Sequence, residues 1–275
     1  MPANFVAFIL NAHLPFVRHP EYPRFLEEDW LFESISESYL PLLRMFNKLK
    51  ADKVPFKFTI SLSPTLCCML TDPVLQERFV QYEERLIELG EKEVERCGNE
   101  QPEFLEMAQF YLGQAKQNLS DYQDLYRTNI LDGFKALETS GHLELVTTAA
   151  THAYLPLYTE YPTAINAQIE LGVQSFLTTF GHLPKGFWLP ECGYYPALEE
   201  NLKYHGISWF QTASQSMLLS PDKVQYGNYR PVRCPNGVAA FPRDFQGTSL
   251  VWSNTSGYPT DKAYREFYRD IGYDL

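Results

Sequence analysis

The stretch Leu143-Glu144-Leu145-Val146-Thr147-Thr148, the helical stripe of Thr163 to Phe180, and the run Gly186-Phe187-Trp188-Leu189 together decide the fold. The first segment is short, apolar and rich in β-branched residues, as a strand buried on both faces should be. Between the two runs, Ile165, Ile169, Val173, Phe176 and Phe180 recur at helical spacing, and Gly181 offers a left-handed stop. Strand, amphipathic helix and strand in that order make a βαβ unit, which predicts parallel pairing.

The same pattern extends in both directions. Phe5-Val6-Ala7-Phe8-Ile9-Leu10 reads as a first, fully buried strand, and Phe56 to Leu62 as a second, stopped by Ser63-Pro64. Ser208–Thr212, Val238–Phe241 and Ser249–Ser253 complete a set of seven expected strands. Asp72-Pro73 is a helix cap followed by proline at the first helical position. Leu75, Phe79, Tyr82, Leu86 and Leu89 then form one apolar face, and a second long pattern from Pro102 towards Glu138 places Phe104, Ala108 and Tyr111 on one side. Residues 72–140 therefore read as a helical insertion between the second and third strands. The fold class is α/β, doubly wound or barrel. No GxGxxG or GxxxxGK[ST] turn is present, which removes the phosphate-cradling signature of many doubly wound nucleotide binders. Polar residues instead follow the strands: His13, His152, Glu191 and Asp244. In a parallel barrel such positions meet at the C-terminal rim, where catalytic groups sit.

The 275 residues are 45% hydrophobic and 21% charged, enough to bury a sizeable core. A formal charge of −11 repels phosphate, so neither a nucleic acid nor an anionic membrane is the expected partner, whereas a neutral ligand suffers no penalty. Aromatic residues reach 15%, which suits stacking on sugar rings as well as a large aromatic core. Five cysteines (Cys67, Cys68, Cys97, Cys192 and Cys234) are odd in number and lack CxxC spacing, so free thiols in a reducing compartment are expected. The apolar run near the N-terminus is too short for a signal peptide or a membrane span. A cytoplasmic, soluble protein is the expectation.

Glu191 lies in Gly186-Phe187-Trp188-Leu189-Pro190-Glu191-Cys192-Gly193-Tyr194-Tyr195. A carboxylate after a buried strand, with Pro190 fixing the turn and aromatics beside it, serves as a nucleophile or general acid in a partly dry pocket; its plainer alternative is a helix cap or surface ion pair. His152 in Thr151-His152-Ala153-Tyr154-Leu155-Pro156 and His13 in Asn11-Ala12-His13-Leu14-Pro15 leave strands into proline-stiffened loops, where imidazoles can bind hydroxyls, orient a carboxylate or simply satisfy the local structure. No HxxxH or HExxH spacing is present, so no metal is expected. Asp244 reads either as a second carboxylate or as the partner of a cation such as Arg243, and Trp252 as core or sugar platform. A serine nucleophile is excluded by the lack of GxSxG.

At these motifs the sequence resembles a known family. HLP at His13, THAYLPL at His152, GFWLPECGY at Glu191, and RDF, SLVWSN, GYP and YREFYRDIGYDL over residues 243–275 are similar to glycoside hydrolase family 57, most of all to its 1,4-α-glucan branching enzymes. The resemblance covers essentially the whole chain. It implies an incomplete (β/α)7 TIM-like barrel over residues 1–275 and a retaining double displacement without metal or cofactor. By motif, Glu191 takes the nucleophile position, His13 and His152 line the donor site, and Trp188 and Trp252 resemble its aromatic wall. Asn11 stands where branching enzymes commonly carry His, and Asp244 belongs to a motif other than that of the acid/base. The family's acid/base Asp lies in a motif downstream of Leu275, so the resemblance implies a C-terminally truncated barrel without the C-terminal helical domain. The expected function is glycosyl transfer on α-glucan, forming α-1,6 branches from α-1,4-linked chains. An α-amylase or 4-α-glucanotransferase of the same family, a catalytically silent glucan-binding fragment, and more remotely a metal-dependent polysaccharide deacetylase stay open as alternatives.

Overall fold

Parallel strands cannot be joined by tight turns, so a parallel sheet needs long connections, which helices supply. The computed structural model describes residues 5–220 and 224–261. Its strands are β1 (Ile9–Ala12), β2 (Phe58–Leu62), β3 (Leu143–Thr148), β4 (Gly186–Trp188), β5 (Trp209–Thr212), β6 (Val232–Arg233) and β7 (Ala239–Pro242). Helices α1 (Leu26–Glu33), α2 (Leu40–Ala51), α3 (Pro64–Leu70), α4 (Pro73–Glu100), α5 (Leu105–Ser120) and α6 (Leu131–Thr139) precede β3. Helices α7 (Pro162–Phe180), α8 (Leu198–Tyr204), α9 (Ser214–Leu218) and α10 (Phe245–Trp252) follow it.

The seven strands run in the order β1-β2-β3-β4-β5-β7-β6. The pairs β1/β2, β3/β4, β4/β5 and β5/β7 are parallel, and β6/β7 is antiparallel. Each strand from β1 to β5 lies beside its predecessor. A barrel winds in this way, whereas a doubly wound sheet reverses order at its centre.

The residues form two compact units. The first gathers the described residues up to His13, Thr59–Pro64 and those from Leu145 onward. Its core joins Ile165, Ile169 and Val173 of α7 to Phe187 and Phe210 of the sheet. The expected stripe of α7 is therefore the buried one, with Phe180 half-buried, and Gly181 ends the helix at φ 81. Gly172 lets α7 reach β3. A Cβ there would lie 2.3 Å from the Thr148 carbonyl oxygen, and the Thr147 hydroxyl donates to the Gly172 carbonyl at 3.1 Å.

The second unit holds Leu14–Phe58 and Thr65–Glu144. Asp72 caps α4 by accepting from Val74 N at 2.9 Å and Leu75 N at 3.2 Å, as Asp before Pro73 predicts. Leu75 and Phe79 are buried, and Tyr82, Leu86 and Leu89 are half-buried, so the predicted face holds. On α5, Ala108 is buried but Phe104 and Tyr111 are exposed, against expectation. Phe104 closes a separate 3₁₀ turn, Pro102–Phe104, and so does not share the phase of α5. The buried side of α5 carries Ala108, Ala115 and Asn118, small enough for a close helix pair; Gly90 of α4 would set a Cβ 3.1 Å from Leu112. Helices α1 and α2 also belong to this unit.

Three further expectations change. β1 begins at Ile9, and Phe5, Val6 and Phe8 before it are exposed. The segment Ser249–Ser253 is not a strand: its first four residues belong to α10 and Ser253 follows as the C-cap, the helix starting where the Asp244 carboxylate accepts from Gly247 N at 3.0 Å. An apolar run of this length has no period of its own to separate strand from helix, and the cap decides. The seventh strand is instead β6, paired with β7 through a turn in which Gly237 takes φ 90. The YREFYRD motif lies outside the described residues. All five cysteines are free thiols, and no helix among the described residues is long and apolar enough to cross a membrane.

The tight Gly172 contact gives a prediction. Gly172→Ala should lower stability by roughly 1–3 kcal/mol through overpacking, seen as an earlier urea midpoint; an unchanged midpoint would mean that α7 does not bear on β3 in this way.

Candidate active site

The chain leaves β4 through Leu189-Pro190 into a 3₁₀ turn, Pro190–Cys192. Glu191 (φ 50, ψ 26) and Cys192 (φ 58) both occupy the left-handed region, which costs an L-residue about 1–2 kcal/mol. The turn is held from several sides. Cys192 N donates to the Leu189 carbonyl at 2.8 Å, and Gly193 N to the Pro190 carbonyl at 3.0 Å. From β5, the Thr212 hydroxyl donates to the Cys192 carbonyl at 3.2 Å, while the Cys192 thiol donates to Gln211 Oε1 at 3.1 Å. Gly193 lies close under Tyr154: a Cβ there would sit 2.4 Å from the ring, which would have to move. Cys192 thus turns inward and Glu191 outward, with 69% of its side chain open to solvent. Where the sequence predicts a partly dry setting, the Glu191 carboxylate is open to solvent among the described residues.

Beyond β3, His152 also takes a left-handed conformation, φ 57. Its Nε2 lies 3.9 Å from Glu191 Oε1, and its Nδ1 lies 3.1 Å from the Thr148 hydroxyl oxygen. The His13 ring stacks on it, centroid to centroid 3.8 Å at 20°, and His13 Nδ1 lies 3.0 Å from Ser63 Oγ. Burial lowers both imidazoles to about 4; for His13 the neighbouring His152 adds to this and the Glu191 carboxylate opposes it. Both rings are therefore neutral near pH 7. The Cys192 thiol is raised by burial, with the Arg243 charge and the Gln211 hydrogen bond pulling the other way.

The structure thus brings Glu191, His13 and His152 together. Trp188 joins them through its backbone, its carbonyl accepting from the Thr148 hydroxyl at 2.7 Å, and its ring is half-buried. Asn11, two residues before His13 on β1, is exposed. Asp244 is occupied as the cap of α10, not by Arg243. Trp252, expected in a strand, is 70% exposed on α10, with the Arg243 guanidinium 5.8 Å from its ring. Sequence reasoning passed over Thr148, Ser63, Gln211 and Thr212. Each is a polar residue at the C-terminal end of an apolar strand, and that pattern is a usable signal for them. Among the described residues no group of three or more His, Cys, Asp or Glu is placed to hold a metal ion. The assembled set is one accessible carboxylate beside two neutral imidazoles, suited to an uncharged, hydroxyl-rich ligand.

A pH prediction follows from the two rings. Unfolded histidine titrates near 6.5, and here both sit at about 4. Below pH 6.5 the unfolded chain gains protons that the folded one refuses, so their contribution to stability is full above 6.5 and is lost as pH falls towards 4. Urea unfolding at pH 7.5, 5.5 and 4.5 should show a smaller loss in His152→Gln than in the parent. Equal losses would contradict the buried, neutral pair.

Comparison with known proteins identifies the family. The sequence profile of glycosyl hydrolase family 57 matches residues 7–271. A 1,4-alpha-glucan branching enzyme of Thermococcus kodakarensis is 33% identical over 97% of this chain and 42% of its own length. The crystal structure of the alpha-amylase AmyC from Thermotoga maritima superposes with a TM-score of 0.91 at 46% identity, over 98% of this chain and 51% of that one. A GH57-type branching enzyme from Pyrococcus horikoshii superposes with a TM-score of 0.85 at 34% identity, over 97% and 51%. The chain spans about half the length of these relatives. With the profile covering nearly every residue and the site built as described, the chain belongs to glycosyl hydrolase family 57.

Proposed function

We propose that the chain carries the nucleophile of an α-glucan glycosyl transfer by retaining double displacement, a reaction that makes α-1,6 branches from α-1,4-linked glucan. The observation that supports this most is the placement of Glu191: a carboxylate on a strained, held turn, open to a ligand, with His152 at 3.9 Å. In the first step a Glu191 oxygen attacks the anomeric carbon, the glycosidic C–O bond breaks, and an acid protonates the departing oxygen. In the second, a glucan 6-hydroxyl gives its proton to the same group, now a base, and its oxygen displaces Glu191. His13, His152 and Asn11 bind donor hydroxyls, Trp188 and Trp252 form an aromatic wall, and Asp244 belongs to the rim. The acid/base carboxyl must stand about 5–5.5 Å from the nucleophile. We assign it, with the acceptor platform and the closure of a (β/α)7 barrel, to the part of the family's length that this chain does not span. The reaction needs no cofactor and no nucleic-acid or membrane partner, and the five free thiols suit the cytoplasm.

A second reading is hydrolysis, as in an α-amylase. It draws on the 46% identity with AmyC and on the openness of Glu191, since transfer over hydrolysis requires water to be kept out.

An α-maltotriosyl fluoride separates the question of the nucleophile from that of the acid, because fluoride departs without protonation. Fluoride release with a glycosyl adduct on the Glu191 peptide is expected, and Glu191→Gln should lower release by about 10³-fold or more. Release that survives this substitution would overturn the nucleophile. Glucan binding without release, in parent and variant alike, would make the chain a silent binding module. With amylose, new α-1,6 linkages indicate branching, reducing ends indicate hydrolysis, and redistributed linear chains indicate disproportionation.

A further inference from the structure

The Thr148 hydroxyl has one proton, and its neighbours decide where that proton points. The Trp188 carbonyl, 2.7 Å away, can only accept, so the hydroxyl donates there. Its oxygen must then accept from its other partner, His152 Nδ1 at 3.1 Å. Nδ1 therefore carries the imidazole proton, and Nε2, 3.9 Å from Glu191 Oε1, presents a lone pair towards the carboxylate. Thr148 is fully buried and belongs to a β3 segment packed under Gly172, so water does not compete for its proton.

We propose that Thr148 is a positioning residue that fixes His152 as the Nδ1–H tautomer, leaving Glu191 without a hydrogen bond from His152 and giving Nε2 to a hydroxyl of the bound sugar. The proposal rests on the sugar site described above but does not need turnover to be tested. The opposite tautomer would aim an Nε2–H at the Glu191 carboxylate. A short charge-assisted bond would form there and occupy the electron pair that a nucleophile needs. With the proton on Nδ1, two acceptors face each other at 3.9 Å, and Nε2 is left to accept from a sugar hydroxyl. No covalent step by Thr148 is involved.

The full chain with ¹⁵N-labelled histidine supplies the test. In the parent at pH 7, long-range ¹H–¹⁵N correlations should show His152 with a protonated, pyrrole-type Nδ1 and an unprotonated, pyridine-type Nε2. Thr148→Val, nearly the same shape but without the hydroxyl, should move His152 towards the Nε2–H form, and Thr148→Ser should restore the parent pattern. If fluoride release is measurable, kcat/KM should fall about 10- to 100-fold in Thr148→Val, mostly in kcat, and recover in Thr148→Ser. A parent already in the Nε2–H form, or a Thr148→Val ring that stays Nδ1–H, overturns the proposal. If Thr148→Val fails to fold, the parent and Thr148→Ser spectra still decide it. Loss of the glucan reading alone would appear as no turnover with the tautomer pattern intact.

Discussion

The carboxylate of Glu191 stands where it does because β5 restrains the turn that carries it. Two successive left-handed residues without glycine cost about 2–4 kcal/mol together. Two hydrogen bonds from β5, one to the Cys192 carbonyl and one from the Cys192 thiol, return about 1 kcal/mol each. The amide bonds of Cys192 and Gly193 and the fixed φ of Pro190 supply a comparable amount. The balance is close to even, so the turn is held by its surroundings. Glycine would relieve the strain, but it would remove the carboxylate from one position and the buried thiol from the other. Strain of this kind persists where structure over-determines it, and it concentrates at functional sites.

From this constraint the electrostatics follow. Glu191 faces two stacked rings that burial keeps neutral, so it meets no permanent cation there. An ion pair would tie up the carboxylate; neutral imidazoles leave its electron pairs available, as the proposed nucleophile role requires. The groups that orient these rings come from the ends of parallel strands: Ser63 after β2 and Thr148 closing β3. The turn itself is held from the end of β5. The side chains lie far apart in sequence, and parallel pairing brings their strand ends together. A chain with formal charge −11 pays no electrostatic penalty for a neutral polysaccharide.

Much of this was legible in the sequence. The Leu143–Thr148 run is β3 residue for residue, and the Ile165-Ile169-Val173-Phe176 stripe is the buried face of α7, because strong periodicity and a glycine stop leave little room for another outcome. His13, His152 and Glu191 could be marked because they follow apolar strands. The errors have physical causes. At Phe5–Phe8 the apolar run implied two covered faces, which the described residues do not provide. At Ser249–Ser253 the helix cap of Asp244 outweighed β-branched composition. Trp252 consequently stands on α10 rather than on a strand, and Asp244 caps that helix, which leaves their proposed places at the sugar site open to test. The left-handed turn at Glu191 was hidden because φ depends on the β5 hydrogen bonds, and those are contacts across about twenty residues. Thr148 was passed over because a threonine ending a strand looks like ordinary β-branched composition until the Trp188 carbonyl is seen beside it.

The proposed function requires a glucose ring held between Glu191 and the paired imidazoles. Crystals of the Glu191→Gln chain grown with maltoheptaose measure it directly. The expected result is a sugar whose anomeric carbon lies about 3–3.5 Å from the residue-191 side chain, with a hydroxyl on His152 Nε2. A sugar bound away from His13 and His152, with residue 191 turned into solvent, would contradict it.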